Sequence, residues 1–191
     1  MSQTNSPSSN NELDRLKTRI ANLEEKLLRV SNVYRYETLQ NRLKEGKWLE
    51  ADKETVRLIL AIAGQANIEN LRPGDIEYID CSELQVIDRL WLNYSDNRFG
   101  FSIQAKTYLD LGGSQQTTIE QNTQLIEKWG DRLGWRKSGN WLKCSNLDYS
   151  ENAAPGGLPG LWWNSPYGSK MTNYFLARLM NCQIYSHTIS H

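Results

Sequence analysis

Apolar residues recur at alternating steps of three and four near the start of the chain: Leu13, Leu16, Ile20, Leu23, Leu27, Val30 and Tyr34. This is a heptad seam, with a positions at 13, 20, 27 and 34 and d positions at 16, 23 and 30. Its flanks agree, because Glu12 with Lys17 and Arg19 with Glu24 are opposite in sign at the g and e′ positions of a parallel dimer. The spacing predicts a short coiled-coil helix over 11–34, and a single amphipathic helix laid on the following domain fits the same period. Residues 1–10 are rich in Ser and Asn and predict a disordered tail.

Helical spacing continues at Tyr36, Leu39 and Leu43 and stops at Gly46. A second helix starts near Trp48, with Ala51, Thr55, Leu58, Ile59, Ile62, Ala63 and Ala66 on one stripe. Gly64 and Pro73-Gly74 mark a loop. Asp80 stands three residues before Glu83, as in a capping box, and Leu84, Ile87, Leu90, Trp91 and Tyr94 repeat on one face up to Asp96-Asn97. Phe101, Gln104, Ala105 and Tyr108 predict another helix. Ile119, Ile126, Trp129 and Leu133 predict one more, ending near Gly130 or Gly134. Residues 134–168 carry Gly, Pro, Asn, Ser and Trp without a period, and loops of that length are usually functional or packed as lids. A last helix from about Lys170 sets Met171, Tyr174, Phe175, Leu179 and Cys182 on one side. No strand alternation emerges. The expected fold class is all-α: a multi-helix domain over 35–185 preceded by the heptad helix.

Composition narrows the function. Lys+Arg and Asp+Glu are both 22 in 191 residues, so the net charge is zero, which argues against a chain built to neutralise phosphate backbones. Lys128, Arg132, Arg136, Lys137 and Lys143 are interleaved with Trp, a pattern that could clamp single strands. A solvated helix end, where cations meet the C-terminal dipole, is the favoured account of them, so no nucleic-acid partner is expected. No apolar run approaches the roughly 20 residues of a membrane span. Cys81, Cys144 and Cys182 are far apart with no CxxC, so neither a disulfide framework nor a cysteine zinc site is expected, and a reducing cytoplasm is the natural setting. The two histidines, His187 and His191, fall in the last five residues, and no nucleotide-binding or metalloprotease motif occurs. The chain is therefore expected to be no enzyme, with no catalytic and no metal-ligating residue. The aromatic inventory is unusual, with 7 Trp and 9 Tyr against 3 Phe.

The stretch from Leu90 to Gln104, LWLNYSDNRFGFSIQ, resembles the signature LWxxYSxGrFGFSvQ of the genomes-uncoupled-four family. Tyr36-x-x-Leu39 and Ala51-Asp52-x-x-Thr55 are similar to its opening. Gly134-Trp135 with Asn140-Trp141 resembles its GW…W segment, and Ala154-Pro155-Gly156-Gly157-Leu158-Pro159 its APxGHLP loop. Order and spacing match over about residues 34–182. The resemblance implies a helical domain shaped like a cupped hand that binds protoporphyrin IX or its magnesium complex without being an enzyme. It also implies a sensor, carrier or regulator of tetrapyrrole metabolism in oxygenic phototrophs, with a magnesium chelatase subunit as partner.

A porphyrin is an apolar disc with carboxylates at one edge, so its site needs an aromatic cleft with cations at the rim. Leu90, Phe99 and Phe101 match signature positions of the family's palm, with Phe99 expected to be exposed in a cleft. Arg98 is the adjacent candidate for a propionate. Tyr149, Trp162 and Trp163 are candidate lid aromatics. Two departures stand out: Gly157 replaces the family's His, and residues 161–169 hold no cation. The heptads and the missing cations favour the alternative, a homo-oligomeric interaction module, assembled through 13–34, that keeps the fold without tight porphyrin binding.

Overall fold

The computed structural model describes residues 7–185, although the side chains at 7–11, 21 and 24–33 lie outside the description. The chain forms two compact units that divide between Glu37 and Thr38. The first is built by helix α1 (Pro7–Lys44) as far as Glu37, and its last residues, with Leu39 and Leu43 buried, belong to the second. The helix begins inside the segment expected to be a tail, at a proline whose fixed φ suits the first turn. Residues 1–6, the rest of that expected tail, fall outside the described residues. Leu13, Leu16, Ile20 and Leu23 are 50–57% exposed, so no described residue covers this part of the seam. The side chains of Leu27 and Val30 are outside the described residues.

The second unit holds α2 (Trp48–Ile62), a one-turn α3 (Pro73–Ile76), α4 (Cys81–Tyr94), α5 (Phe101–Asp110), α6 (Gln115–Ile119), α7 (Thr123–Arg132) and α8 (Ser169–Asn181). The all-α expectation holds. Asp80 caps α4 by accepting from the Ser82 N–H at 2.8 Å. The helix expected across Ile119 to Leu133 is two helices. Ser114 and Thr117 exchange reciprocal cap bonds at the start of α6, Gln121 turns at φ 51°, and Asn122 caps α7 through the Leu125 N–H. These polar side chains compete with helical continuation, and the apolar spacing conceals that.

Two further features depart from expectation. Arg136–Lys137 pairs with Asn140–Trp141 as a two-residue antiparallel hairpin. Cys81 is joined to Cys182 by a disulfide across a separation of 101 residues, leaving Cys144 free. The cysteine spacing gave no sign of it, because α4 and α8 bring the pair together only in three dimensions.

Two aromatic clusters fill the core. Trp91 donates its indole N–H to Thr55 Oγ1 at 2.9 Å and stacks on Trp48, with Phe99 edge-on to both. Phe101, Phe175, Trp162, Trp135, Trp129 and Tyr108 form a continuous chain of ring contacts with centroids 4.0–6.4 Å apart.

Candidate functional site

The segment from Leu133 to Gly168 has no helical period, yet much of it is interior. Ala153, Leu158 and Trp162 are no more than 3% exposed. Its polar backbone is paired with the helices, as burial requires. The Gly156 N–H donates to Arg98 O and Gly100 N–H to Leu158 O, while Gln104 Nε2 donates to Gly156 O and Pro159 O. Trp135 Nε1 donates to Gly157 O at 2.7 Å. The backbone closes on Gly157, where a Cβ would stand 2.9 Å from both Ala154 O and Leu133 O.

This buried segment forms an interior wall that is also tied to α2 through Asp52. Its buried carboxylate accepts from the Gly160 N–H at 2.7 Å and the Leu161 N–H at 3.0 Å. Burial pushes this carboxyl up to about 7, against the pull of those two donors and of the Tyr149 hydroxyl. Tyr149 in turn is raised, first by burial and then by the Asp52 charge. Asp88 is a second buried acid, bonded to Ser102 N and Oγ and pushed by burial to about 6. A Cβ at residue 100 would meet its Oδ1 at 2.7 Å, which keeps that position glycine.

The residues singled out from sequence do not converge on one open surface. Phe99 is 1% exposed among Trp48 and Trp91, a correction to its expected place in a cleft: the Ser95 hydroxyl accepts its N–H and turns it inward. Phe101 lies edge-on to Phe175, and Trp162 stacks on Phe175 at 4.0 Å, so both are core. Leu90 is half-buried on α4. Arg98 spends its guanidinium on Ala153 O and Asn152 O. Tyr149 donates to Cys144 O. Trp163 is half-buried between Trp135 and Trp141, and its indole N–H has no acceptor among the described residues.

An opening that joins an aromatic to a cation lies elsewhere. Gln65, Glu69, Asn70, Arg72 and Asp75, on the loop after α2 and on α3, face Tyr167 across a cleft of about 390 Å³. Gln65 Nε2 and the Arg72 N–H both bond Asp75 Oδ2, which fixes the loop. A second cleft of about 420 Å³, between Thr107, Asp110, Leu111, Arg132 and Pro155, has a cation but no aromatic. Nothing in the residue pattern points to Arg72, a lone cation before Pro73-Gly74. Asp52 did leave a trace, since it is an acid beside Ala51 in an otherwise apolar stripe.

Comparison with known proteins fits this architecture. The sequence profile of the GUN4-like family matches residues 29–177. The chain belongs to that family. It is 37% identical over 76 residues to the chloroplastic tetrapyrrole-binding protein of Arabidopsis thaliana, a match covering 39% of this chain and 29% of that protein. It is 30% identical over 128 residues to the uncharacterized protein ycf53 of Cyanidium caldarium, covering 65% of this chain and 49% of that one. The chain thus spans less than half the length of these curated relatives. The ligand-free structure of Arabidopsis thaliana GUN4 superposes with a TM-score of 0.59 at 26% identity, covering 74% of this chain and 93% of that one.

Proposed function

We propose that this chain is a non-enzymatic tetrapyrrole-binding protein acting as a sensor, carrier or regulator of tetrapyrrole metabolism, with protoporphyrin IX or its magnesium complex as ligand. The observation that carries the reading is the cleft between the loop after α2 and the long loop, in a chain of this family. Its volume falls within the roughly 300–1,000 Å³ of small-molecule sites. Arg72 and Asn70 offer a cation and an amide to a carboxylate edge, in a lining that also holds the acidic Glu69 and Asp75, and Tyr167 offers a ring to the disc. The fit is to the edge of a porphyrin more than to its face. Phe101 and Trp162 belong to the aromatic core and Phe99 packs on Trp48 and Trp91, so in this reading they act as structure, and Trp163, between Trp135 and Trp141, does not line this cleft.

The heptad seam makes the chain a parallel dimer in this reading, with Glu12–Lys17′ and Arg19–Glu24′ pairs setting register. A magnesium chelatase subunit is the partner that the family resemblance implies. Among the described residues no helix is long and apolar enough to cross a membrane. The reading keeps the chain in the cytoplasm, where its disulfide meets dithiol reductants. The polar lining of the cleft favours the second reading, an interaction module without a ligand. Titration with protoporphyrin IX and its magnesium form separates the two. Binding quenches Trp emission and shifts the Soret band; silence in both signals leaves the interaction module.

A further inference from the structure

Helix α8 is fastened twice at the start of α4, once to its first residue and once just before it. Cys182, its C-cap, is disulfide-bonded to Cys81, the first residue of α4, with Cα atoms 5.2 Å apart. One turn earlier, Arg178 Nε donates to Ile79 O at 2.9 Å. The disulfide closes a loop that holds α4 through α8 and every tryptophan except Trp48. Toward its middle, α8 carries Phe175, the ring on which Trp162 is stacked. The interior wall therefore rests on the helix that the disulfide holds.

The third cysteine does not interfere. Cys144 is half-buried, and burial together with the Asp52 charge pushes its thiol up to about 11. It stays protonated near neutral pH and is a poor attacker of disulfides. Cys81 is half-buried and Cys182 buried, so Cys81 is the more accessible of the two to an external thiolate.

We propose that Cys81–Cys182 is a redox clamp: the disulfide holds α8 and the long loop in order, and a dithiol reductant opens it and loosens both. One thiolate of the reductant attacks Cys81 Sγ, the S–S bond breaks, and Cys182 leaves as a thiolate that takes a proton from water. The reductant's second thiolate then attacks its own sulfur in the mixed disulfide. Cys81 leaves as a thiolate at the α4 N-terminus, where negative charge is favoured, and the reductant departs as a cyclic disulfide. Two electrons pass to the protein for each bond opened. Control of the cleft by this clamp rests on the tetrapyrrole reading; the clamp itself does not.

The test uses the full chain in reduced or in oxidised cyclic dithiothreitol. Alkylation under denaturing conditions should count one thiol in the oxidised protein and three in the reduced one. Reduction should lower Tm by roughly 10–15 °C, as loss of a closure of this length implies. Amide exchange should quicken across 158–182. Cys81→Ser should lose the response to dithiol, and if it fails to fold, the parent chain in its two states decides alone. Three thiols before reduction, or Tm and exchange unmoved by it, overturn the clamp. Protoporphyrin IX should bind the reduced form about tenfold more weakly, the loss expected if the ordered site is populated about a tenth of the time. Equal binding to both forms overturns control of the cleft. Binding to neither overturns the tetrapyrrole reading and leaves exchange to decide the clamp.

Discussion

Helix α1 up to Glu37 and the segment from Leu133 to Gly168 are opposites. The first has the most regular apolar period in the chain, yet Leu13, Leu16, Ile20 and Leu23 are each at least half exposed. The second has no period, yet Trp135, Leu158 and Trp162 are buried. Periodicity reports that an element has an apolar face, and it is silent on whether that face is covered within the same chain. Burial of an irregular segment is instead signalled by partners for its backbone, here Gln104, Asp52, Arg98 and the indole N–H groups.

The largest expected effect breaks the contrast from the interior side. Trp162→Ala removes a ring stacked on Phe175 and edge-on to Trp135. Cavity formation in a packed core costs about 3–5 kcal/mol for such a change. Tyr167→Ala, at the exposed end of the same loop, should cost less than about 1 kcal/mol. Urea unfolding of both variants measures the difference, and equal losses would mean that the loop is uniform rather than half core and half surface.

On the α1 side, Ile20→Lys places a charge at an a position whose side chain is 54% exposed in the single chain. It should convert a dimer to a monomer by light scattering, raising the dissociation constant by about a hundredfold or more. Domain Tm at high dilution should not move. A parent chain that is already monomeric would leave the helix an exposed amphipathic arm.

Much of the fold was legible because it obeys local rules. The start of α4 follows from Asp80, and the ends of α1 and α4 from Gly46 and Asp96-Asn97, where φ is positive. The split between α6 and α7 was hidden because Ser114, Thr117 and Asn122 act through hydrogen bonds that apolar spacing does not record. The site was far less legible. Phe99 follows a helix break, which suggests exposure, but Ser95 folds it back against Trp48 and Trp91. Arg98 is bound by carbonyls more than 50 residues away in sequence, and the Cys81–Cys182 bond spans 101. Long-range partners of this kind leave no mark in one sequence.

Asp52 gives a smaller effect and sharpens what holds the wall in place. Its carboxyl titrates near 7 in the folded chain against an ordinary value of 3.8. A raised folded value means that the native state keeps the proton longer than the unfolded state does. Stability from this group is therefore fully present below about pH 4 and is lost as pH rises toward 7. Asp88 acts in the same direction with a narrower window, up to about 6. Asp52→Asn keeps an oxygen for Gly160 and Leu161 but cannot ionise. Melting curves from pH 4 to 8 should fall less steeply for the variant than for the parent. Matching slopes would show that Asp52 does not govern the pH response of the wall.

The smallest effect concerns the exposed cleft. Arg72 is solvent-exposed and its charge faces Tyr167 and Gln65 across open water. If a propionate meets it there, the pair stays hydrated and contributes about 0–1 kcal/mol, so Arg72→Ala should weaken protoporphyrin IX binding by no more than about fivefold. The more diagnostic signature is salt. The parent's affinity should fall between low and physiological ionic strength, while the variant's should change less, because the charge being screened is gone. Tyr167→Phe separates ring from hydroxyl and should bind as the parent does, whereas Tyr167→Ala should bind more weakly. Arg98→Ala should leave the salt dependence untouched, since its guanidinium is already held by Ala153 O and Asn152 O. Should Arg98→Ala flatten the salt response while Arg72→Ala keeps it, the ligand's carboxylates lie at the signature helix break, and the cleft beside Tyr167 is not the site.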